Sequence, residues 1–320
     1  MSARMRIVVL VSALALVAAA GVVGIAVLGG DDGNARALQP RSGHPPLSLD
    51  LGVRTDPEAQ ALRRAATLYG KRQYAAAGRI FARHRSVEAR IGEAFSVWPD
   101  GSLADLERLG SAYPGKAVVQ LNLGLARFWA ARGDAAAAWR RAVERDPDTP
   151  YAITAATLLH PDYARGVPIF VPAEPFPPAV ARLSPPKQLS TLKALAGRST
   201  ADALRYGLAL QRLGHPVSAE RVYARAARQA PGDAEAQTAA AVALFSKDDP
   251  SRAFSRLGPL TRRFPRQPTV RFHLGLLLLW SGQVDEARRQ LRLARAADPS
   301  SPMAREAQRL LAGIAHVGTK

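Results

Sequence analysis

Between residues 200 and 301, apolar side chains recur three or four positions apart over stretches of helical length, with polar residues between them. Proline, glycine and aspartate break the pattern at regular places, which predicts pairs of amphipathic helices joined by tight turns. The interval is constant. Pro231, Pro265 and Pro299 stand thirty-four residues apart, as do Ala219, Ala253 and Ala287, and Tyr223, Leu257 and Leu291. One step upstream, Gly207, Ala241 and Gly275 share the register and follow Tyr206, Ala240 and Leu274.

Each slot has a physical reason. A small residue at 207, 241 or 275 on the first helix, and alanine at 219, 253 or 287 on the second, lets the two helices approach closely. The aromatic or leucine at 223, 257 or 291 fills the space between helices, and the proline ends the unit because its ring cannot continue the hydrogen-bond ladder. With these residues in these slots, the chain resembles a bacterial, membrane-anchored protein of the tetratricopeptide-repeat (TPR) family. The resemblance implies an all-α, TPR-like helix-turn-helix solenoid of about six units, the last three regular, after an N-terminal transmembrane helix.

The expected organisation runs as follows. Residues 1–6 form a cytoplasmic n-region and 7–28 a transmembrane helix, followed by a flexible spacer over 29–55 that is rich in Gly, Pro, Asp and Ser. A degenerate TPR-like helical region covers 56–159, with Tyr74, Ala77 and Phe81 in one unit and Leu123, Gly124, Gly133, Trp139 and Pro147 in a clearer one. A Pro-rich connection spans 160–186. The TPR domain occupies 187–314, with repeats 200–233, 234–267 and 268–301 and a C-terminal capping helix, and 315–320 are a tail. In the connection, Ile169, Phe170, Val171 and Phe176 alternate with prolines. A free linker has little use for such side chains, so the segment is expected to lie extended against a helical half.

Ile7 to Leu28 is uncharged over twenty-two residues, enough at ~1.5 Å per residue to cross a ~30 Å hydrocarbon layer. Arg4 and Arg6 precede it and Asp31 and Asp32 follow, so a single-pass cell-membrane protein with an extracytoplasmic C-terminal domain is expected. The alternative is secretion after cleavage near Ala18-Ala19-Ala20.

Composition narrows the chemistry. No cysteine is present, which removes disulfides and thiolate chemistry. The formal net charge is +18, and arginines fall on common helical faces at Arg288, Arg292 and Arg295 and at Arg221, Arg225 and Arg228. The bland reading of this arginine is a GC-rich genome, whose codons favour it. The sharper reading is attraction to an anionic envelope surface, lipid or wall polymer. Nucleic acid is not expected, because no aromatic-basic stacking motif appears.

Several motifs invite a catalytic reading and fail it. Gly110 to Lys116 spells G-x-x-x-x-G-K, but Ala117 replaces the magnesium-binding hydroxyl and the preceding stretch reads as helix. Two S-x-x-K matches, at Ser184 to Lys187 and Ser190 to Lys193, lack the companion motifs of serine acyl enzymes. The six histidines, at 44, 84, 160, 215, 273 and 316, show no metal-ligand spacing, and Asp248-Asp249 reads as a turn pair. No enzyme activity, cofactor or metal site is expected.

The resemblance implies that function lies in the concave groove lined by first helices. The family's groove-facing slots fall on Leu208, Gln211 and Arg212, then Thr238, Val242 and Phe245, then Phe272, Leu276, Leu279 and Trp280. This strip is largely apolar, so either a protein partner fills it, as a helix or extended peptide, or another part of the same chain does. A membrane-anchored, non-enzymatic scaffold, acting in assembly of an envelope complex, is the function expected from this; the alternative is an electrostatic adaptor for anionic lipid or cell-wall polymer.

Overall fold

The computed structural model describes residues 40–315, and the expected transmembrane segment lies outside them. Among the described residues no helix is long and apolar enough to cross a membrane. They form sixteen helices and no strand, divided into two compact units at Leu159 and His160.

In the N-terminal unit the helices are α1 (Pro57–Gly70), α2 (Tyr74–Phe81), α3 (Val87–Ser96), α4 (Ser102–Ala112), α5 (Ala117–Ala130), α6 (Ala135–Arg145) and α7 (Pro150–Leu159). Asp56, Ser86 and Asp134 cap α1, α3 and α6 by accepting a backbone N–H of the first turn. Arg54 and the Ala59 N–H together hold the Asp56 carboxyl down at about 2. Consecutive helices pack against one another around a core that includes Leu62, Phe81, Ile91, Phe95, Leu106 and Leu121. A methyl group placed on Gly124 of α5 would come within 2.2 Å of the Trp139 ring nitrogen on α6, so glycine is what lets that pair close.

The C-terminal unit contains α8 (Pro178–Ala181), α9 (Pro185–Leu195), α10 (Thr200–Arg212), α11 (Pro216–Gln229), α12 (Ala234–Val242), α13 (Ser251–Arg263), α14 (Pro268–Trp280), α15 (Val284–Ala297) and α16 (Pro302–Ile314). Ser199, Asp233 and Ser301 cap α10, α12 and α16, and proline opens α9, α11, α14 and α16, where its missing N–H costs nothing. The small-to-large slots meet. The same methyl test at Gly207 on α10 gives 2.2 Å to Tyr223 on α11, and at Gly275 on α14 gives 2.8 Å to Leu291 on α15. Tyr223, Leu257 and Leu291 are all fully buried.

Three local features differ from the pattern. The first helix of the middle repeat stops at Val242, so Phe245 lies past its end rather than on its face. The Pro-rich stretch contains one helical turn, α8, and donates its last two prolines to the start of α9. Residues 41–51, part of the stretch read as a flexible spacer, are held on the N-terminal unit. Ser48 donates its N–H to Asn122 Oδ1 (3.0 Å) and accepts from Asn122 Nδ2 (2.9 Å), while Tyr69 and Trp129 donate to the carbonyls of Pro45 and Gly43. Composition marked this stretch as non-helical, and an extended chain on helices is non-helical without being free.

Candidate functional site

In the C-terminal unit α10, α12 and α14 carry nine of the expected groove residues and Phe245 follows the end of α12; Val242, Phe245, Phe272, Leu276, Leu279 and Trp280 share one buried cluster. Nine of those ten are buried: Leu208, Gln211, Thr238, Val242, Phe245, Phe272, Leu276, Leu279 and Trp280. Arg212 is the exposed member. The strip they were expected to line is therefore mostly buried, and residues 163–176 of the same chain lie against part of it.

The segment meets the strip at Phe245, Gln211 and Arg212. Tyr163 stands edge-on to Phe245, with centroids 6.4 Å apart, and Phe245 stands edge-on to Trp280 at 6.2 Å. Phe170 is fully buried, stacked on His273 at 4.9 Å and edge-on to Tyr223 at 5.6 Å. Glu174 reaches Arg205 at 2.5 Å, and the Arg212 guanidinium lies 4.9 Å over the Phe176 ring.

Polar groups of the groove hold the segment by its main chain. Gln211 Oε1 accepts the Phe170 N–H (3.1 Å) and the Tyr223 hydroxyl (3.0 Å). His273 Nε2 accepts the Val171 N–H (2.9 Å), and Glu235 Oε1 accepts the Ala173 N–H (2.5 Å). The His273 tautomer follows from its other bond: Nδ1 lies 2.7 Å from the Thr269 carbonyl oxygen, which can only accept, so Nδ1 carries the proton and Nε2 is free to accept. Burial pushes the His273 imidazole down to about 4 against the opposing effect of that carbonyl. Burial also raises the Glu235 carboxyl, partly countered by the Ala173 N–H.

His273 and Glu235 were not among the groove slots read from the sequence. The available signal was a histidine amid the apolar run Val270 to Trp280, where an imidazole needs a specific partner to be buried. Glu235 sits in the first turn of its helix and had the ordinary explanation of a charge near a helix N-terminus. The Thr238 hydroxyl is buried without a hydrogen-bond partner, so that residue packs as an apolar one.

Elsewhere, His160 Nε2 meets Asp248 Oδ1 at 2.7 Å, and no group of three or more potential metal ligands occurs among the described residues. The G-x-x-x-x-G-K stretch is the end of α4 and the turn into α5, with Gly110 packed against Leu123.

The tetratricopeptide-repeat family model matches residues 244–312, covering the end of the middle repeat, the last repeat and most of the capping helix. That match covers less than a quarter of the chain. The matched segment shares its thirty-four-residue register with the helix pair upstream of it. No curated protein sequence matches the chain. Among solved structures the chain is similar to YrrB, a TPR protein with an unusual peptide-binding site, at 17% identity over 64% of this chain and 97% of that one, TM-score 0.32. It is similar to the TPR2AB domain of yeast Sti1 in complex with pHSP90, at 13% identity over 81% and 98%, TM-score 0.29, and to yeast Tom70, at 11% over 85% and 66%, TM-score 0.32. Scores this low carry no argument from those structures to this one.

Proposed function

We propose that the chain is a membrane-anchored, non-enzymatic TPR scaffold that holds a protein partner, acting in assembly of a bacterial envelope complex. One observation carries the reading: α10, α12 and α14 take the main-chain N–H groups of an extended segment with side chains, which is how a groove holds a peptide rather than how helices pack on each other. The uncharged run Ile7 to Leu28 with its preceding arginines supports a single-pass anchor and an extracytoplasmic C-terminal part. The test is affinity capture from the source membrane extract with the detergent-solubilised full chain as bait, washed at low and then high salt. A discrete protein retained at high salt is expected. Release of everything into the salt wash would overturn the scaffold reading. Fractionation gives the anchor its own test: the chain is expected in the membrane pellet after carbonate extraction, and recovery in the soluble fraction would remove the anchor.

A second reading, an electrostatic adaptor for an anionic surface, has its own support in Arg221, Arg225 and Arg228, all exposed along α11. The other stripe is weaker. Arg288 is engaged by Asp285 and the Ile314 carbonyl, and Arg295 by Gln308.

A further inference from the structure

In the N-terminal unit, the start of the extended stretch and the chain at the ends of α3 and α5 enclose a pocket of about 390 Å3, within the ~300–1,000 Å3 of small-ligand sites and open to solvent. Its walls are Pro40, Trp98, Pro99 and Trp129, and no acidic side chain lines it. Both indoles are half-buried. Trp98 stacks on the fully buried Phe95, with centroids 6.3 Å apart, which fixes the plane of its ring. Its indole N–H has no acceptor among the described residues. Trp129 is fastened twice: its indole N–H donates to the Gly43 carbonyl (3.0 Å), and its own carbonyl accepts the Arg41 N–H (2.8 Å).

Arg41 supplies the charge. Its guanidinium lies 4.4 Å from the centre of the Phe128 ring and 5.6 Å from that of Trp129, and no carboxylate among the described residues pairs with it. His44 also lines the pocket, but it is stacked on Tyr74 at 3.6 Å and burial pushes its imidazole down, so it brings no charge at neutral pH. The pocket thus offers flat apolar walls, N–H donors and one positive charge. Because it is open, a hydrocarbon ring bound there would leave apolar edge in water. A pyranose fits both conditions, since its C–H faces are apolar and its hydroxyl edge stays hydrated. A carboxylate on that ring is the anion a guanidinium takes by two parallel hydrogen bonds.

We propose that the pocket lined by Trp98 and Trp129 binds a carboxylated pyranose, one unit of an acidic polysaccharide, with Arg41 on the carboxylate and the indoles against the ring. The site goes beyond the scaffold reading and does not rest on the α11 arginines of the electrostatic one. The detergent-solubilised full chain reports it directly, because of its four tryptophans Trp98 and Trp129 line the pocket while Trp139 and Trp280 are buried. At physiological ionic strength, where exposed charges are screened, tetragalacturonate is expected to change the tryptophan emission saturably. Uncharged maltotetraose is expected to bind at least ~10-fold more weakly, and benzoate, a carboxylated ring without hydroxyls, not to saturate the signal. No saturable change with tetragalacturonate, or equal binding of maltotetraose or of benzoate, would overturn the proposal.

Arg41→Gln is expected to bring the two sugars to the same affinity, and Trp98→Ala to abolish binding of both; full binding of tetragalacturonate by either variant would overturn the assignment. The Arg221→Ala, Arg225→Ala, Arg228→Ala triple variant is expected to bind the acidic sugar as the wild type does. Hydrogen exchange on the wild type decides independently of how any variant folds. Tetragalacturonate is expected to slow exchange of the Arg41 amide and to leave α11 unchanged. Protection confined to α11 would overturn the proposal and give the acidic sugar to the arginine stripe. Failure to capture a protein from the membrane extract would remove the scaffold reading and leave this site standing.

Discussion

His273 shows how one side chain ties the Pro-rich segment to the helices. It donates from Nδ1 to Thr269 and accepts from Val171 at Nε2, so adding a proton to Nε2 both charges a fully buried ring and ejects the Val171 N–H. Its folded value of about 4 lies below the ordinary 6.5. The unfolded chain therefore binds more protons between those values, and stability from this group is complete above pH 6.5 and lost as pH falls through 4. At ~1.36 kcal/mol per unit the difference amounts to about 3 kcal/mol. Urea unfolding at pH 7 and pH 4 should show this acid loss in the wild type. His273→Leu should be less stable at pH 7, because the Val171 N–H loses its acceptor, but should lack that part of the acid loss. Equal acid losses in both proteins would assign the titration to another group.

At the scale of elements, closeness between paired helices depends on the small slot of the first. In α10 a methyl on Gly207 would lie 2.2 Å from Tyr223 Cε1, against a rigid ring that is itself fully buried. Gly207→Ala gains ~1 kcal/mol of helix propensity and is opposed by ~1–3 kcal/mol of overpacking. Because the ring cannot bend away, overpacking is expected to win. Gly275→Ala meets Leu291 Cγ at 2.8 Å, a side chain that can change rotamer, so it should cost less. Paired denaturation midpoints for the two variants check the order.

The extended strap of the N-terminal unit is an element of the same kind, fastened at Ser48 by both ends of the Asn122 amide. Asn122→Ala removes both bonds, with an expected loss of ~1–3 kcal/mol. Faster hydrogen exchange at the Ser48 amide, with α1 and α5 still protected, is the signature; unchanged exchange there would mean that Leu51 and Pro45 hold the strap without it.

For the whole molecule, each unit carries a non-helical, proline-containing segment immediately before its helices and lays it along them, at residues 43–51 and 163–176. Charge belongs to this scale as well. A net +18 spread over exposed arginines acts as a field rather than as a site, and the electrostatic reading predicts binding of the full chain to anionic vesicles that falls steeply with added salt, since exposed charges are screened over ~8 Å at physiological ionic strength. Binding that is indifferent to salt would remove that reading. Binding lost in an Arg221→Ala, Arg225→Ala, Arg228→Ala triple variant would place it on α11.

By itself the sequence determined the helices and their pairing, because both depend on local or strictly periodic facts: apolar spacing, prolines and capping residues at helix ends, and small residues opposite large ones thirty-four positions apart. It assigned ten residues to an open concave groove, and nine of them are buried. What covers them was decided only by the tertiary structure. Phe170 meets Gln211 forty-one residues away and Val171 meets His273 at a separation of 102, and no local pattern specifies pairings of that range. The same reason hid Glu235 and His273. A carboxylate at a helix start and a histidine in an apolar run have ordinary local explanations, and only the arrival of an extended chain with N–H groups to satisfy makes acceptors of them.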